Sequence, residues 1–101
     1  MLRHLLIGMK VKNMTSTNGN TVSNQFIISG SHYGQSGQFF QSYDSVIAFK
    51  PYDGSSITLD RNYWDYSVTT GKYRNKFLCE TKKETQAKID SGQYILADLN
   101  N

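Results

Sequence analysis

The side chains that most often perform catalysis are scarce in this sequence. Histidine, which can act as a general base near neutral pH, occurs as His4 and His32, and Cys79 is the one thiol nucleophile. A single cysteine rules out an intramolecular disulfide and a zinc site built from several cysteines. Cys79 also follows a predicted helix, whose negative dipole end disfavours a thiolate. The sequence therefore predicts neither a catalytic centre nor a metal site.

Carboxylates and glycines give no stronger indication of an active site. The pairs Asp60/Asp65 and Asp90/Asp98 match no spacing typical of general acid–base catalysis, and we interpret them as turn or cap residues. The three glycines within residues 30–37 lack the G-x-x-x-x-G-K pattern of a phosphate-binding loop. We therefore expect a protein that is not an enzyme and uses no cofactor.

Residues 60–78, DRNYWDYSVTTGKYRNKFL, combine aromatic and basic side chains in a way that is typical of binding surfaces. Aromatic rings can stack on bases or anchor a protein partner, and basic groups can contact phosphates or carboxylates. The binding candidates are Arg61, Tyr63, Tyr66, Lys72, Arg74 and Lys76. The candidates for a structural core are Trp64, Tyr73 and Phe77. The sequence leaves open the alternative that the basic residues form an ordinary solvated helix face.

Positive charge is concentrated in two parts of the chain. The formal net charge is +3, which Arg3, Lys10 and Lys12 supply before residue 13, and eight basic residues then face eight acidic ones. Residues 72–88 hold six Lys or Arg and two Glu, which makes a local basic patch. Because the chain is neutral beyond residue 13, nucleic-acid binding is weaker than protein binding as an interpretation.

A chain of 101 residues has room for one domain. We expect that domain over residues 14–101, preceded by residues 1–13 as an extension that is disordered or lies upstream of the true start. The apolar run of residues 5–7 is shorter than the core of a signal peptide, and no stretch approaches the roughly 18 apolar residues of a membrane span. Together with the single cysteine, this predicts a soluble cytoplasmic protein with no membrane partner.

Alternation of apolar and polar residues predicts strands in the first half of the chain. We expect Asn18-Gly19 to form a type I′ turn, residues 30–37 to form a glycine-rich loop, and residues 46–49 to alternate between the two faces of a strand. The predicted strands are residues 10–15, 21–29, 38–43, 45–50, 57–59 and 93–99. The expected fold is α+β, with a largely antiparallel sheet of about five to six strands and two short helices in the C-terminal half.

The two predicted helices follow Thr69 or Thr70 and Thr81. In the first helix, the basic residues Lys72, Arg74 and Lys76 are expected to face outward. Residues 81–84, TKKE, fit a capping box, and Gly92 fits the left-handed residue that ends such a helix.

Three segments resemble a group of small proteins encoded by tailed phages, prophages and mobile elements, which is catalogued as a domain of unknown function. They are NQFIIS (24–29), FFQSYDSVIAFK (39–50) and the long run from LDRNYWDYSVTTGKYRNKFL to the end of the chain, and the resemblance covers about residues 22–100. The shared motifs are FQSY-S-IA and WDYS-TT-KYR-FL. The chain departs from the pattern in the stretch 30–37 and at Cys79, where a small residue such as Gly is expected.

The resemblance implies a phage or mobile-element accessory protein in the host cytoplasm that binds a host or phage macromolecule. An inhibitor of a host enzyme or defence complex is one form of such a protein. A protein partner is the first expectation. Two alternatives stay open: nucleic-acid binding through the basic and aromatic surface of residues 61–88, and self-association as a structural homodimer.

Overall fold

The computed structural model describes residues 9–100. Its strands are β1 (Lys10–Thr15), β2 (Thr21–His32), β3 (Gln35–Ser42), β4 (Ser45–Pro51), β5 (Thr58–Asp60) and β6 (Ile95–Ala97). Helices α1 (Val68–Leu78) and α2 (Lys82–Asp90) lie between β5 and β6 in the chain. The predicted α+β class, with a mostly antiparallel sheet and two helices in the C-terminal half, is confirmed.

The strands form one sheet in chain order, from β1 to β6. Neighbours from β1 to β5 are antiparallel, while β6 runs parallel to β5, with Leu59 opposite Leu96. A parallel neighbour needs a long crossover connection, and the two helices supply it. Strand β6 is shorter than the predicted strand 93–99.

The first hairpin closes through a different turn from the one predicted. A type I′ turn needs positive φ at both central residues, but of Asn18 and Gly19 only Gly19 has it, at 81°. The Gly19 amide donates to the Ser16 carbonyl at 2.9 Å. This arrangement matches a longer connection in which the residue after the turn takes the left-handed conformation.

The predicted glycine-rich loop 30–37 is wrong. Strands β2 and β3 continue through it to a two-residue turn at Tyr33-Gly34, where φ is 49° and 81°. Both positive angles are those of a type I′ turn, which fits the twist of a hairpin. Gly37 lies inside β3, opposite Gly30 on one side and Pro51 on the other. Its small size serves strand packing, so glycine content misled the prediction.

Two apolar clusters form within the described residues. The helix-side cluster joins α1 to the sheet through Met14, Phe40, Ile47, Ala48, Leu59, Tyr73, Phe77, Leu78 and Tyr94. The second cluster holds Ile28, Phe39, Val46, Phe49 and Leu99. The predicted alternation of residues 46–49 is wrong, because a bulge after Phe40 leaves Ile47 between two paired residues. Consequently Ile47 and Ala48 both belong to the helix-side cluster.

Helix α1 begins one turn before its predicted start. Its N-cap is Ser67, whose hydroxyl accepts from the Thr70 amide at 3.1 Å, so the predicted cap at Thr69 or Thr70 is wrong. Thr70 is instead buried, with its hydroxyl 2.8 Å from that of Ser42. The capping box of α2 is confirmed, with Thr81 and Glu84 bonding each other's amides.

Residues 1–8 of the predicted extension 1–13 lie outside the described residues. From Lys10 onward the chain pairs with β2, Lys10 opposite Ser29 and Asn13 opposite Phe26. Within residues 9–100, no helix has the length and apolar character needed to cross a membrane.

Candidate functional site

A buried carboxylate shapes the turn that carries the aromatic candidates. Asp60 ends β5, and one of its oxygens accepts from the amides of Asn62 and Tyr63 at 3.0 and 2.9 Å. Its other oxygen accepts from the Leu99 amide at 2.8 Å. The predicted turn role of Asp60 matches this geometry. Asp60 therefore fixes the 61–66 turn to both the sheet and the C-terminal segment.

Two tyrosines of this turn lie in contact at the surface. The rings of Tyr63 and Tyr66 are 5.4 Å apart in an edge-to-face arrangement, and 37% and 45% of these residues is exposed. Val68, at the start of α1, is 91% exposed, and it lines an open groove with Tyr66 and Lys72. We call Tyr63, Tyr66, Val68 and Lys72 the tyrosine surface. Arg61 is exposed at the start of the same turn.

Arg74 does not face outward, and that prediction is wrong. Only 1% of it is exposed. Its Nη1 donates to the Trp64 carbonyl at 2.7 Å and to Asp65 at 3.2 Å, and its Nη2 donates to Asn75 at 2.9 Å. The guanidinium also lies 5.2 Å from the Trp64 ring. A planar fork of donors suits this inward position, because it holds several oxygens of the turn at once.

A sequence signal for this burial exists. The buried residues of α1 are Thr70, Tyr73, Arg74, Phe77 and Leu78. Their spacing is that of one helix face, so position 74 belongs to the inward stripe whatever its residue type. Charge alone had suggested the opposite.

The remaining candidates of α1 lie in different places. Tyr73 and Phe77 lie in the helix-side cluster, and Trp64 packs against it, half-buried. Lys72 is exposed on the tyrosine surface. Lys76 lies toward the other end of the helix, where its ammonium donates to the Thr15 carbonyl of β1. The six predicted binding residues therefore do not form one surface.

Carboxylates compensate much of the basic patch of residues 72–88. Asp65 lies 2.7 Å from Lys82 and 3.2 Å from Arg74. Burial raises the pKa of Asp65, but its bonds to Lys82 and Arg74 outweigh that effect and hold the pKa below its ordinary value. Lys88 in turn pairs with Glu80 at 2.7 Å. Three of the six basic residues of the patch thus have an acidic partner.

A second group of basic residues was missed by the sequence interpretation. Lys12 of β1, Lys50 of β4 and Lys76 of α1 line one groove together with Gln38. Apolar parts of its lining come from Met14, Ile27 and Phe77. We call this the lysine groove. These lysines are far apart in the sequence, and only the strand register and the packing of α1 bring them together.

Cys79 is exposed and ends α1 in the left-handed conformation, with φ of 56°. Glycine adopts that conformation most easily, which explains why a small residue is expected there. Within residues 9–100, no three His, Cys, Asp or Glu side chains are grouped so that they could hold a metal ion.

Comparison with known families gives one match. A family model described as "Family of unknown function (DUF8033)" matches residues 9–93, which run from just before β1 to beyond α2. The chain belongs to this family. No curated protein and no solved structure matches the chain. The residues of the tyrosine surface and of the lysine groove all lie within the matched range. The family description assigns no activity to either.

Proposed function

We propose that this DUF8033 chain is a non-enzymatic accessory protein of a phage or mobile element, which binds a host or phage protein through the tyrosine surface. The observation that carries the proposal is a pair of exposed, mutually packed tyrosines beside the 91% exposed Val68. Tyrosine is enriched among residues that dominate binding energy, since it buries a large area with little loss of conformational freedom.

The way this surface is held supports the same proposal. Asp60 and Arg74 fix the backbone of the 61–66 turn through hydrogen bonds at 2.7–3.0 Å, and Arg74 also bonds the Asp65 carboxylate at 3.2 Å. A fixed turn loses little conformational entropy when a partner binds, which favours affinity. The scarcity of histidine and cysteine in the sequence argues against turnover of a substrate. Inhibition of a host enzyme or defence complex in the host cytoplasm is one activity such binding would produce.

A nucleic acid is a less suitable partner for the 61–88 surface. Asp65 lines the groove beside Lys72 and Lys82, and Glu80 pairs with Lys88. These carboxylates would lie near phosphates, and like charges repel.

Self-association through strand β1 also has an electrostatic obstacle. At the open edge formed by β1, two copies pairing side by side would bring Lys10 and Lys12 of each copy close together. Lysine on an edge strand opposes such pairing.

The proposal is tested by immobilising the full chain and capturing partners from a lysate of the producing host. A partner identified by mass spectrometry is then purified, and its affinity is measured for wild type, Tyr63→Ser/Tyr66→Ser and Val68→Asp. We expect each variant to weaken binding at least tenfold with an unchanged melting temperature. Tyr33→Ser is the matched control, because Tyr33 is an exposed tyrosine in the turn that precedes β3. Helix α1, which carries part of the tyrosine surface, contacts the other end of β3 through Thr70 and Ser42. Full affinity in both tyrosine-surface variants would overturn the proposal.

A further inference from the structure

The lysine groove continues into a polar row across the sheet. The register places Lys10, Ser29, Gln38 and Lys50 opposite one another on four adjacent strands. Residues directly opposite in a ladder share a face of the sheet. Lys12 lies two residues after Lys10 on β1, so it is on the same face, opposite Ile27. Ile27 packs against the helix-side cluster, so the whole row lies on the helix side. At about 4.8 Å per strand, the row spans about 14 Å.

Two of these lysines donate to neutral carbonyl groups. Lys50 donates to the Phe77 carbonyl at 3.0 Å, and its ammonium lies 4.6 Å from the Phe77 ring. Lys76 donates to the Thr15 carbonyl. The ion pairs found among residues 9–100 involve Arg74, Lys82 and Lys88, and none includes Lys10, Lys12, Lys50 or Lys76. No carboxylate of residues 9–100 lines the groove either. The four charges therefore remain available to an anionic ligand.

An aromatic ring lies beside this row. Tyr52 follows β4, is 62% exposed, and its hydroxyl is 3.4 Å from that of Ser29. Because Ser29 belongs to the row, this contact places the Tyr52 hydroxyl at the row, at the register position between Lys10 and Gln38. A ring beside a line of positive charges matches the two parts of single-strand recognition, since bases stack on aromatics while phosphates contact lysines.

We propose that the lysine groove and the adjoining row bind single-stranded nucleic acid, with phosphates contacting Lys10, Lys12, Lys50 and Lys76 and a base stacking on Tyr52. Ser29 and Gln38 provide hydrogen-bonding groups between the charged residues. This surface is separate from the tyrosine surface, so the inference does not depend on the proposed protein partner.

Protection of a sheet edge explains only part of this arrangement. Lysines on edge strands hinder aggregation, which would account for Lys10 and Lys12 on β1. Lys50, by contrast, lies on β4, which has neighbours on both sides, and Lys76 lies on a helix. Four lysines from three elements on the groove and its adjoining row therefore favour a ligand. An acidic protein segment would also satisfy the charges, and the polyglutamate competitor in the experiment below tests that alternative.

The experiment measures fluorescence anisotropy of a labelled 12-nucleotide mixed-sequence single strand, as DNA and as RNA, with the full chain between 50 and 200 mM salt. We expect Lys10→Gln/Lys12→Gln to weaken binding and to reduce the slope of log affinity against log salt by about 1.4, at about 0.7 per phosphate contact. Tyr52→Ser is expected to weaken binding about tenfold through lost stacking. The charge-matched control is Lys82→Gln/Lys83→Gln, two exposed lysines of α2 outside both surfaces, which is expected to keep wild-type affinity.

Melting temperatures of all variants are measured in parallel, and Lys12→Gln alone serves if the double variant unfolds. Two competitor ligands define the ligand class: a duplex of the same sequence and a polyglutamate peptide of equal charge. Weaker binding of both competitors supports the inference. It is overturned by absence of single-strand binding at 50 mM salt, by equal affinity for either competitor, or by equal losses in the Lys82→Gln/Lys83→Gln control.

Discussion

The guanidinium of Arg74 ties helix α1 to the turn that precedes it. It bonds the Trp64 carbonyl and the Asp65 carboxylate while its plane lies near the Trp64 ring. A basic residue with this many oxygen partners stabilises the position of the tyrosine surface without belonging to it. The contribution of Arg74 to binding is therefore indirect, through the turn.

We predict that Arg74→Ala lowers the free energy of unfolding by about 3 kcal/mol, because it leaves a part-buried carbonyl and part of a carboxylate without their donor. Lys72 is exposed and takes no part in these hydrogen bonds. Lys72→Ala should therefore change the free energy of unfolding by less than about 0.5 kcal/mol. Urea denaturation of both variants measures the difference. Equal stabilities would mean that the Arg74 bonds contribute little in solution.

The end of α1 provides a second test at a single residue. Cys79 has φ of 56°, a conformation that costs an L-residue roughly 1–2 kcal/mol and costs glycine almost nothing. Because glycine also has more freedom to lose on folding, we expect Cys79→Gly to raise the free energy of unfolding by about 0.5–1 kcal/mol. Cys79→Ala retains the strain and controls for loss of the thiol. A Cys79→Gly variant no more stable than Cys79→Ala would refute this explanation.

Which residues could be recognised from the sequence depends on whether the deciding contacts are local. The capping box at Thr81 and the left-handed Gly92 involve only neighbouring residues, and both were predictable. The inward position of Arg74 was also present in the helical spacing, but the outward preference of charged residues concealed it. The lysine groove could not be predicted, because it depends on the register of four strands.

Among the elements, the hairpin of β2 and β3 shows why glycine gave a misleading signal. Gly34 serves the turn, where its positive φ is needed. Gly37 serves the sheet, where a Cβ would meet the Lys50 carbonyl and would come within 2.8 Å of the Phe49 ring. Both glycines are separated by two residues in the sequence, yet one favours a turn and the other allows two strands to pack closely.

We predict that Gly37→Ala lowers the free energy of unfolding by about 3 kcal/mol, since backbone and a buried ring must both move. Gly34→Ala is the matched control: among residues 9–100, nothing beyond its two chain neighbours lies within 4 Å of its Cβ position, so the backbone conformation alone should cost about 1 kcal/mol. Thermal and urea denaturation compare the two. If Gly37→Ala proved as stable as Gly34→Ala, the close packing of β3 on β4 would be wrong.

At the scale of the whole molecule, two carboxylates join parts that are distant in the sequence. Asp60 bonds the amide of Leu99 in the C-terminal segment. Glu80, between the helices, accepts from Thr85 and Lys88 of α2 and from Tyr94 of the helix-side cluster. The crossover that makes β6 parallel to β5 is therefore held by polar bonds as well as apolar packing. The stability of this crossover should respond to pH.

The lowered pKa of Glu80 determines how the free energy of unfolding changes as the pH falls. Burial raises the pKa of Glu80, but hydrogen bonds from Lys88, Thr85 and Tyr94 outweigh burial and hold the pKa below its ordinary value of 4.5. A carboxyl with a lower pKa in the folded state stabilises the fold above the unfolded pKa, and that stability is lost as pH falls through the folded pKa. We therefore predict that Glu80→Gln is less stable than wild type at pH 7 but loses less stability between pH 5 and pH 3. Tyr94→Phe, which removes one bond to Glu80, should lie between them. Urea denaturation across this range measures all three proteins, and parallel pH profiles for wild type and Glu80→Gln would exclude Glu80 as the source of the acid response.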